Sequence, residues 1–425
     1  MILSGREQSI LDGGEGRLKQ RALELIVAYA KALDAPRLCR VTKAHLYAGN
    51  HFYLQLKALN GLDAGTIISQ MHFCSDRTLS FDKAGCFAQT DAGPMDPDQW
   101  ARLGFSPEES RRNDEFLQIY LKAGIHLVGS CVPYLTGFVP LMGEHYVSTE
   151  SHAVTLMNSI WGACANADGI EIAFCSAVCG YTPYWGNHVP EQRKATHLFR
   201  IDSPVSSIHD WDVVGYAVGQ NAPSFCVPVL SGAFERPDLD RLKACFAAMA
   251  ASSGIELCHI EGCTPEALTL EQAAGNAGME SVLIGTKEIS AAREHLGTME
   301  GEVEFVSLGC PHYSIEQIKD VAEALEGRKV HSRVELQIWT ALPIKAVSDR
   351  CGYTAAIERA GGMLLCGSCP LLTGKFPLDG SCGLLFDSAK QANYLRSKAP
   401  GRVFYGAMEE CLDAAVSGIF RPQRR

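Results

Sequence analysis

Apolar and polar positions divide the chain into helices with one apolar face and short apolar runs that end in small residues. Residues 17–33, RLKQRALELIVAYAKAL, set Ala22, Ile26, Tyr29 and Leu33 on one face and predict an amphipathic helix. The run Ala64–Phe73, AGTIISQMHF, reads as a strand ending near His72. Residues 74–112 mix Gly, Pro and Asp with charges and read as a surface excursion. Three further runs share one layout. Residues 125–128 lead through Gly-Ser to Cys131, residues 305–309 lead to Cys310-Pro311, and residues 363–368 lead to Cys369-Pro370. Such runs read as buried parallel strands, and parallel α/β folds bind ligands just beyond the carboxyl ends of their strands. Three thiols at three strand ends could converge on one point, an arrangement that suits an iron–sulfur cluster with one iron left open. The alternative for each is a small buried core residue, the commonest fate of a free Cys.

Ser151 is placed to cap a helix whose apolar face is Ala153, Leu156, Met157 and Ile160, although Val154 stands where a full capping box needs Glu or Gln. Asn158 falls near the middle of that helix, where its propensity is poor, so it either stitches the core or faces a ligand. His45, Tyr47, Asn50 and His51 cluster where a strand gives way to a helix, as a polar wall of a site or as a hydrogen-bonded loop. The turn-rich residues 180–188 offer Asn187 and His188. Residues 239–251 predict a helix and 255–260 a strand. Thr264-Pro265 reads as a helix start, and Thr269 with Gln272 as a capping box. From residue 303 the alternation is regular. Strand EFVSLG is followed by a Ser314/Gln317 capping box and a helix with Ile318, Val321, Ala322 and Leu325 inward. Strand VELQIWT, a helix over 344–360 and strand GMLLCG complete a βαβαβ pattern, the mark of a parallel sheet.

Composition narrows the function classes. A hydrophobic fraction of 47% and a charged fraction of 20% over 425 residues describe a globular chain with ample core. A formal charge of −10 with no basic block argues against nucleic acid. No signal-peptide pattern opens the chain and no apolar run is long enough for a bilayer, so no membrane role is expected. The 17 cysteines are expected as reduced thiols in the cytoplasm. No GxSxG, Walker A, HExxH or GxGxxG motif occurs in a usable context. Cys366-Gly367-Ser368-Cys369 lacks a second CxxC at zinc spacing, and Cys164, Cys175 and Cys179 read as core.

Together, several pieces resemble the aconitase X family of hydro-lyases, whose members include phosphomevalonate dehydratase and cis-3-hydroxy-L-proline dehydratase. They are VTKAHLYAG around His45, Cys-x-Pro-Tyr at 131–134, Gly143-x-His145, Glu150-Ser151, Asn158-Ser159 with Gly162-Ala163, and Thr182-Pro183-x-x-Gly186-x-His188. Gly262-x-Thr264-Pro265-Glu266-Ala267, residues 308–312, Cys369 and Ser388-Ala389-Lys390 continue the series to near the end of the chain. The resemblance implies an aconitase-like α/β fold of several lobes, with parallel or mixed sheets flanked by helices around a central cleft. The lobes are expected at 1–215, 216–302 and 303–425. It implies dehydration of a small hydroxy acid or hydroxy amino acid, with an iron–sulfur cluster or a mononuclear iron held by Cys131, Cys310 and Cys369. His45, Glu150, Ser151 and Lys390 are the catalytic candidates, and His72, Asn158, His188 and Ser388 the substrate-binding ones. The family's small swivelling domain is not expected in the residues after Ala399, so a separate small subunit is expected as partner.

Departures from the family bear on the substrate. Cys164 stands where members carry an Arg, Gln70-Met71-His72 stands where a double Thr is usual, and Gly367-Ser368 replaces Asp-Thr before the third cysteine. Losing a guanidinium removes a bidentate anion clamp, so a different anion-binding arrangement is expected, with His72, His45 and Lys390 as replacements. The competing expectation is a cofactor-free descendant acting as an isomerase or as a binding or scaffold subunit.

Overall fold

The computed structural model describes residues 1–48, 61–275, 278–297, 299–376, 382–399 and 402–423. Asn50 and His51 of the expected polar wall lie outside them, as do the last two residues of the basic C-terminal stretch. The chain is a mixed α/β protein with parallel sheets flanked by helices.

In the first lobe β1 (Leu38–Arg40) is followed directly by β2 (Lys43–Leu46). Strand β2 is the centre of a parallel sheet, between β3 (Phe87–Thr90) and β4 (Tyr146–Ser148). Strand β1 instead pairs antiparallel with β5 (Tyr181–Pro183). The apolar run before Cys131 joins this sheet through a single parallel bridge, His126 to Gln89. Residues Ala64–Phe73 are a helix and not the expected strand. Asp63 caps its first turn through the Thr66 N–H, and Ile67, Ile68 and Phe73 pack inward. An apolar run of ten residues does not separate a buried helix from a strand by periodicity, and here the cap decides. The strand lies further on, at β3, so the expected surface excursion holds a core strand and the buried Asp91 and Asp96.

The second lobe is a parallel sheet of β6 (His197–Ile201), β7 (Pro228–Gly232), β8 (His259–Ile260) and β9 (Glu280–Ile284), in the order β8-β7-β6-β9. Only the last two residues of the strand expected at 255–260 join the ladder. Thr264-Pro265 sits in a turn; the helix begins after Thr269, whose hydroxyl caps the Gln272 N–H.

In the third lobe a short antiparallel pair, β10 (Gly301–Glu302) with β16 (Ile419–Phe420), flanks a five-stranded parallel sheet. Its strands are β11 (Phe305–Tyr313), β12 (Glu335–Thr340), β13 (Met363–Cys366), β14 (Leu384–Phe386) and β15 (Val403–Tyr405), in the order β13-β12-β11-β14-β15. The predicted βαβαβ pattern and the Ser314 capping box are both present. The helix expected over 344–360 is two helices, broken at Gly352 with φ of 80°. The order runs outward from β11 through β12 to β13, then returns to the other side of β11 at β14. Ligands bind at such a reversal, at the carboxyl ends of the strands.

One apolar core joins the lobes. It includes Leu156 and Met157 from the helix Ser151–Trp161, Trp211 and Phe246 from the second lobe, and Phe386 and Leu395 from the third. Each such fully buried side chain contributes roughly 1.5–3 kcal/mol of transfer free energy, which holds the lobes in register around the strand ends.

Candidate active site

The three thiol loops meet at the carboxyl ends of the sheets, and glycines let them approach. Gly129 has φ of 55°, and a Cβ on it would lie 3.0 Å from the Gly367 Cα. The Gly367 carbonyl accepts from the Gly93 N–H at 2.7 Å, which ties in the segment after β3. Within β11 the ladder to β12 is irregular between Leu308 and Tyr313. Gly309, at φ of 94°, lies so close to β12 that a Cβ would meet the Trp339 carbonyl oxygen at 2.3 Å. An irregularity of this kind re-aims the next side chain, here Cys310.

His312 binds the loops together. Its backbone N–H donates to the Cys131 sulfur at 3.4 Å, its Nδ1 pairs with the Ser130 hydroxyl at 3.1 Å, and its Nε2 lies 2.7 Å from the Ser368 carbonyl oxygen. Cys131, Cys310 and Cys369 therefore share one buried environment. Burial raises all three thiol pKa values, to about 12 for Cys310 and about 11 for Cys369. The Lys390 ammonium acts on each in the opposite sense, favouring thiolate.

Beside them, Lys390 donates to the Glu150 carboxylate at 2.5 Å, and Glu150 also faces His152 Nδ1 at 2.8 Å. Burial alone would raise the Glu150 pKa, but Lys390 and His152 hold it well below the carboxylate range. Lys390 is disfavoured as a cation by burial, yet Glu150 and the neighbouring thiols hold it charged. It is a buried group on the helix Ala389–Arg396, not a surface charge. Ser388 caps that helix through the Gln391 N–H and also lies in hydrogen-bonding reach of Cys310. Glu150, not Ser151, is the N-cap of the helix Ser151–Trp161, accepting from the His152 N–H at 3.4 Å. Ser151 is its first residue, and its carbonyl accepts from the Thr155 hydroxyl.

Asp91, which the sequence reading missed, follows β3 and belongs to the same cluster. Burial first, then the Glu150 charge, pushes its pKa well up, while Lys390 and His152 hold that of Glu150 down. Two neighbouring carboxyls whose pKa values are pushed apart are a pattern of acid–base sites. His45 stands 3.7 Å from Asp91, beyond hydrogen-bond reach. Its Nε2 bonds the Ser130 carbonyl at 2.8 Å and its Nδ1 the Ser148 hydroxyl at 3.0 Å, so both nitrogens are spent holding the Cys131 loop against β4. Burial lowers its pKa to about 4.

The other expected site residues lie apart from this cluster. His72 is stacked on Phe174 at 3.9 Å and bonds the Tyr120 hydroxyl within the first-lobe core. Asn158 stitches the core. Its amide donates to the Ala165 and Glu256 carbonyls, and its oxygen accepts from the Ala165 N–H and the Tyr146 hydroxyl. His188 pairs with His145, Nδ1 to Nδ1, at 3.0 Å. The charged groups that act most on Cys164 are Arg193 and Glu266, so the exchange at that position alters this second polar region and not the surroundings of Lys390. Gln70-Met71-His72, read as standing in place of the family's double Thr at a strand end, falls on a helix instead.

The fold and this cleft define a multi-lobed α/β protein with a buried, thiol-rich, charge-paired site at a reversal of strand order. Family models described as the aconitase X first, second and third domains match residues 1–191, 195–294 and 303–417. The chain belongs to the aconitase X family. It is 33% identical to the phosphomevalonate dehydratase large subunit of Methanocaldococcus jannaschii, over 97% of this chain and 99% of that one. It is 28% identical to the cis-3-hydroxy-L-proline dehydratase of Hypocrea jecorina, over 98% of this chain and 69% of that protein. The crystal structure of Thermococcus kodakaraensis aconitase X in its holo form superposes with a TM-score of 0.81 at 27% identity, covering 98% of this chain and all of that one. Among the described residues no helix is long and apolar enough to cross a membrane.

Proposed function

We propose that the chain is the large subunit of an iron-dependent hydro-lyase that dehydrates a small hydroxy acid or hydroxy amino acid. The observation that carries this is the meeting of three thiol loops on His312, beside the Lys390–Glu150 pair. The donor set fits an iron centre: three half-buried cysteines on converging loops, with a cation beside them that favours thiolate. Held by Cys131, Cys310 and Cys369, an iron–sulfur cluster or a single iron would supply the Lewis acid that helps a hydroxyl leave.

The chain's own residues supply the rest. Lys390, fixed by Glu150, is the charge available to a substrate carboxylate and to the enolate that develops when the adjacent proton leaves. Asp91, whose pKa is pushed up, is the carboxyl placed to donate to the departing hydroxyl. Glu150 is committed to Lys390 and His152 and acts by positioning them. Burial lowers the His152 pKa to about 4, and its Nε2 has no hydrogen-bond partner among the described residues. It is the nitrogen free to accept a proton. His45 positions the Cys131 loop. The first lobe boundary, expected at 215, falls inside the helix Ile208–Asn221 and after β6 of the second-lobe sheet, so the lobes are set at 1–194, 195–302 and 303–425. The large-subunit name borne by the M. jannaschii relative supports a separate small subunit as partner. The fungal dehydratase extends well beyond the stretch matched here, as a fused arrangement would.

The test is anaerobic purification with and without a small subunit of the aconitase X family. Iron bound to the wild type, and lost in Cys310→Ser, is the expected result. The reconstituted complex is then offered phosphomevalonate, cis-3-hydroxyproline and a panel of hydroxy acids. Dehydration of one of them by the complex, and little by the isolated chain, is expected. A complex without iron, or full turnover by the chain alone, would overturn the reading.

A further inference from the structure

A second set of soft donors lies at the other end of β4 from Glu150. Cys39 is the middle residue of β1, opposite Thr182 of β5. His145 immediately precedes β4, and His188 ends the single helical turn Gly186–His188. The Cys39 sulfur and one ring nitrogen from each histidine lie within 4.8 Å of one another. The two Nδ1 atoms are 3.0 Å apart. Cys39 and His188 are buried, at 5% and 1% exposure, and among the described residues His188 Nε2 has no hydrogen-bond partner. Cys164 is bridged to His145 through the backbone, and its sulfur stands outside the group of three, so a change of its rotamer would bring it in.

We propose that Cys39, His145 and His188, with Cys164 as the fourth donor, form a structural site for a borderline-soft divalent cation of the Zn²⁺ class, separate from the cysteines of the cleft. Two imidazoles and two thiols are a common closed tetrahedral zinc set. Two nitrogens about 3 Å apart sit at the spacing of a shared ligand edge as well as of a hydrogen bond. Charge decides the donor number. Arg37 and Arg193 are close enough to disfavour a cation, although Arg193 is paired with Glu266 and Arg37 stacks on Tyr184. Two thiolates would cancel a divalent charge, which one would not. Such an ion would clip the β1–β5 ribbon to the foot of β4. The residues from His145 to Glu150 span at most about 16 Å when extended, so the clip anchors the strand that presents Glu150.

The site is testable apart from catalysis, by titrating the chelator-treated, oxygen-free full chain with Co²⁺ and Zn²⁺. Wild type is expected to take up Co²⁺ with a thiolate charge-transfer band and tetrahedral d–d bands. Those bands should persist in the Cys131→Ser, Cys310→Ser double variant. Cys39→Ser and His145→Gln should each weaken Zn²⁺ binding by more than about a hundredfold, beyond the loss typical of a group that only supports a ligand. His145 is half-buried, so His145→Gln reads the site if Cys39→Ser does not fold. Tetrahedral bands that vanish with the cleft cysteines and survive in His145→Gln would overturn the proposal. So would a wild-type chain that binds neither ion.

Discussion

The helix Ser151–Trp161 carries buried polar groups at two places, and they are handled in opposite ways. At Asn158 every donor and acceptor of the amide is matched by a neutral partner, three of them backbone groups. At its amino end Glu150 and His152 meet Lys390, with Asp91 close by, and matching is incomplete: among the described residues His152 Nε2 lacks a hydrogen-bond partner, and the pKa values of the two carboxyls are driven in opposite directions. A saturated network fixes a fold, while a charged and partly unmatched one has capacity left for a ligand. Burial alone does not distinguish them, since Asn158 and His152 are both fully buried. Unused valence does.

Lys390→Met breaks the cleft side of the comparison and has the largest expected effect. It leaves Glu150 buried without its cation, at a cost of about 3–5 kcal/mol, and removes the charge assigned to the enolate. Activity of the reconstituted complex should fall by more than about a hundredfold, the scale of losing one transition-state donor. A matching loss of melting stability in Lys390→Met is expected to be relieved in the double variant with Glu150→Gln, whereas activity is not. Recovery of activity in that double variant would remove Lys390 from the chemistry.

Asn158→Leu breaks the other side. It leaves Ala165 N–H, two carbonyls and the Tyr146 hydroxyl without their partners, at about 1–3 kcal/mol for each group that water cannot reach. Denaturant melts should show a loss of a few kcal/mol, about 2–4 in total once the loops relax. The turnover rate of the folded fraction should stay within about threefold, by the same reading that separates a saturated network from a working one. A large loss of turnover with intact stability would return Asn158 to the substrate site.

The sequence made one half of this comparison legible. The strand–small–Cys settings at 131, 310 and 369 suggested one shared location, because parallel strands buried on both faces must read as apolar runs; in the structure Cys310 lies within β11 and the run before Cys131 joins its sheet by a single bridge, so the three settings are not equivalent strand ends. The Lys390–Glu150 pair was out of reach of any pattern, since 240 residues separate its members. Asp91 and His152 were missed for a different reason. Asp91 sits in DAGPMD, where Gly and Pro suggest a surface loop, and His152 follows Glu150-Ser151 with no spacing that marks it. His312, immediately after Cys310-Pro311, was visible as a matching piece, but its role in holding three loops appears only in the contacts. The run at 64–73 failed because a short apolar helix and a buried strand present the same composition, and the deciding residue, Asp63, lies outside the run.

The smallest effect belongs to His72, which sharpens the contrast because it is titratable yet lies in the aromatic first-lobe core, away from the cleft. Burial lowers its pKa to about 3, against an unfolded value near 6.5. The unfolded chain therefore binds a proton that the folded chain refuses, beginning as pH falls through about 6.5. Stability from the neutral, stacked ring is fully present above that pH and is lost progressively on the way down to about 3. Where the shift is fully engaged the slope is about 1.4 kcal/mol per pH unit for one proton. From pH 6.5 to 5.5 it is only partly engaged, so His72 contributes somewhat under about 1 kcal/mol of loss across that unit. His72→Phe keeps an aromatic ring against Phe174 while removing the titration. Its unfolding free energy at neutral pH should drop for the lost Tyr120 bond, but its decline between pH 6.5 and 5.5 should be shallower than wild type by that amount. The pH profile of turnover should not move, because His72 touches neither Lys390 nor the thiol loops. His152→Gln offers the opposite signature, a collapse of turnover across the whole pH range. A shift in the acid limb of turnover in His72→Phe would place the first-lobe core in the working half of the molecule and end the division drawn between the two regions.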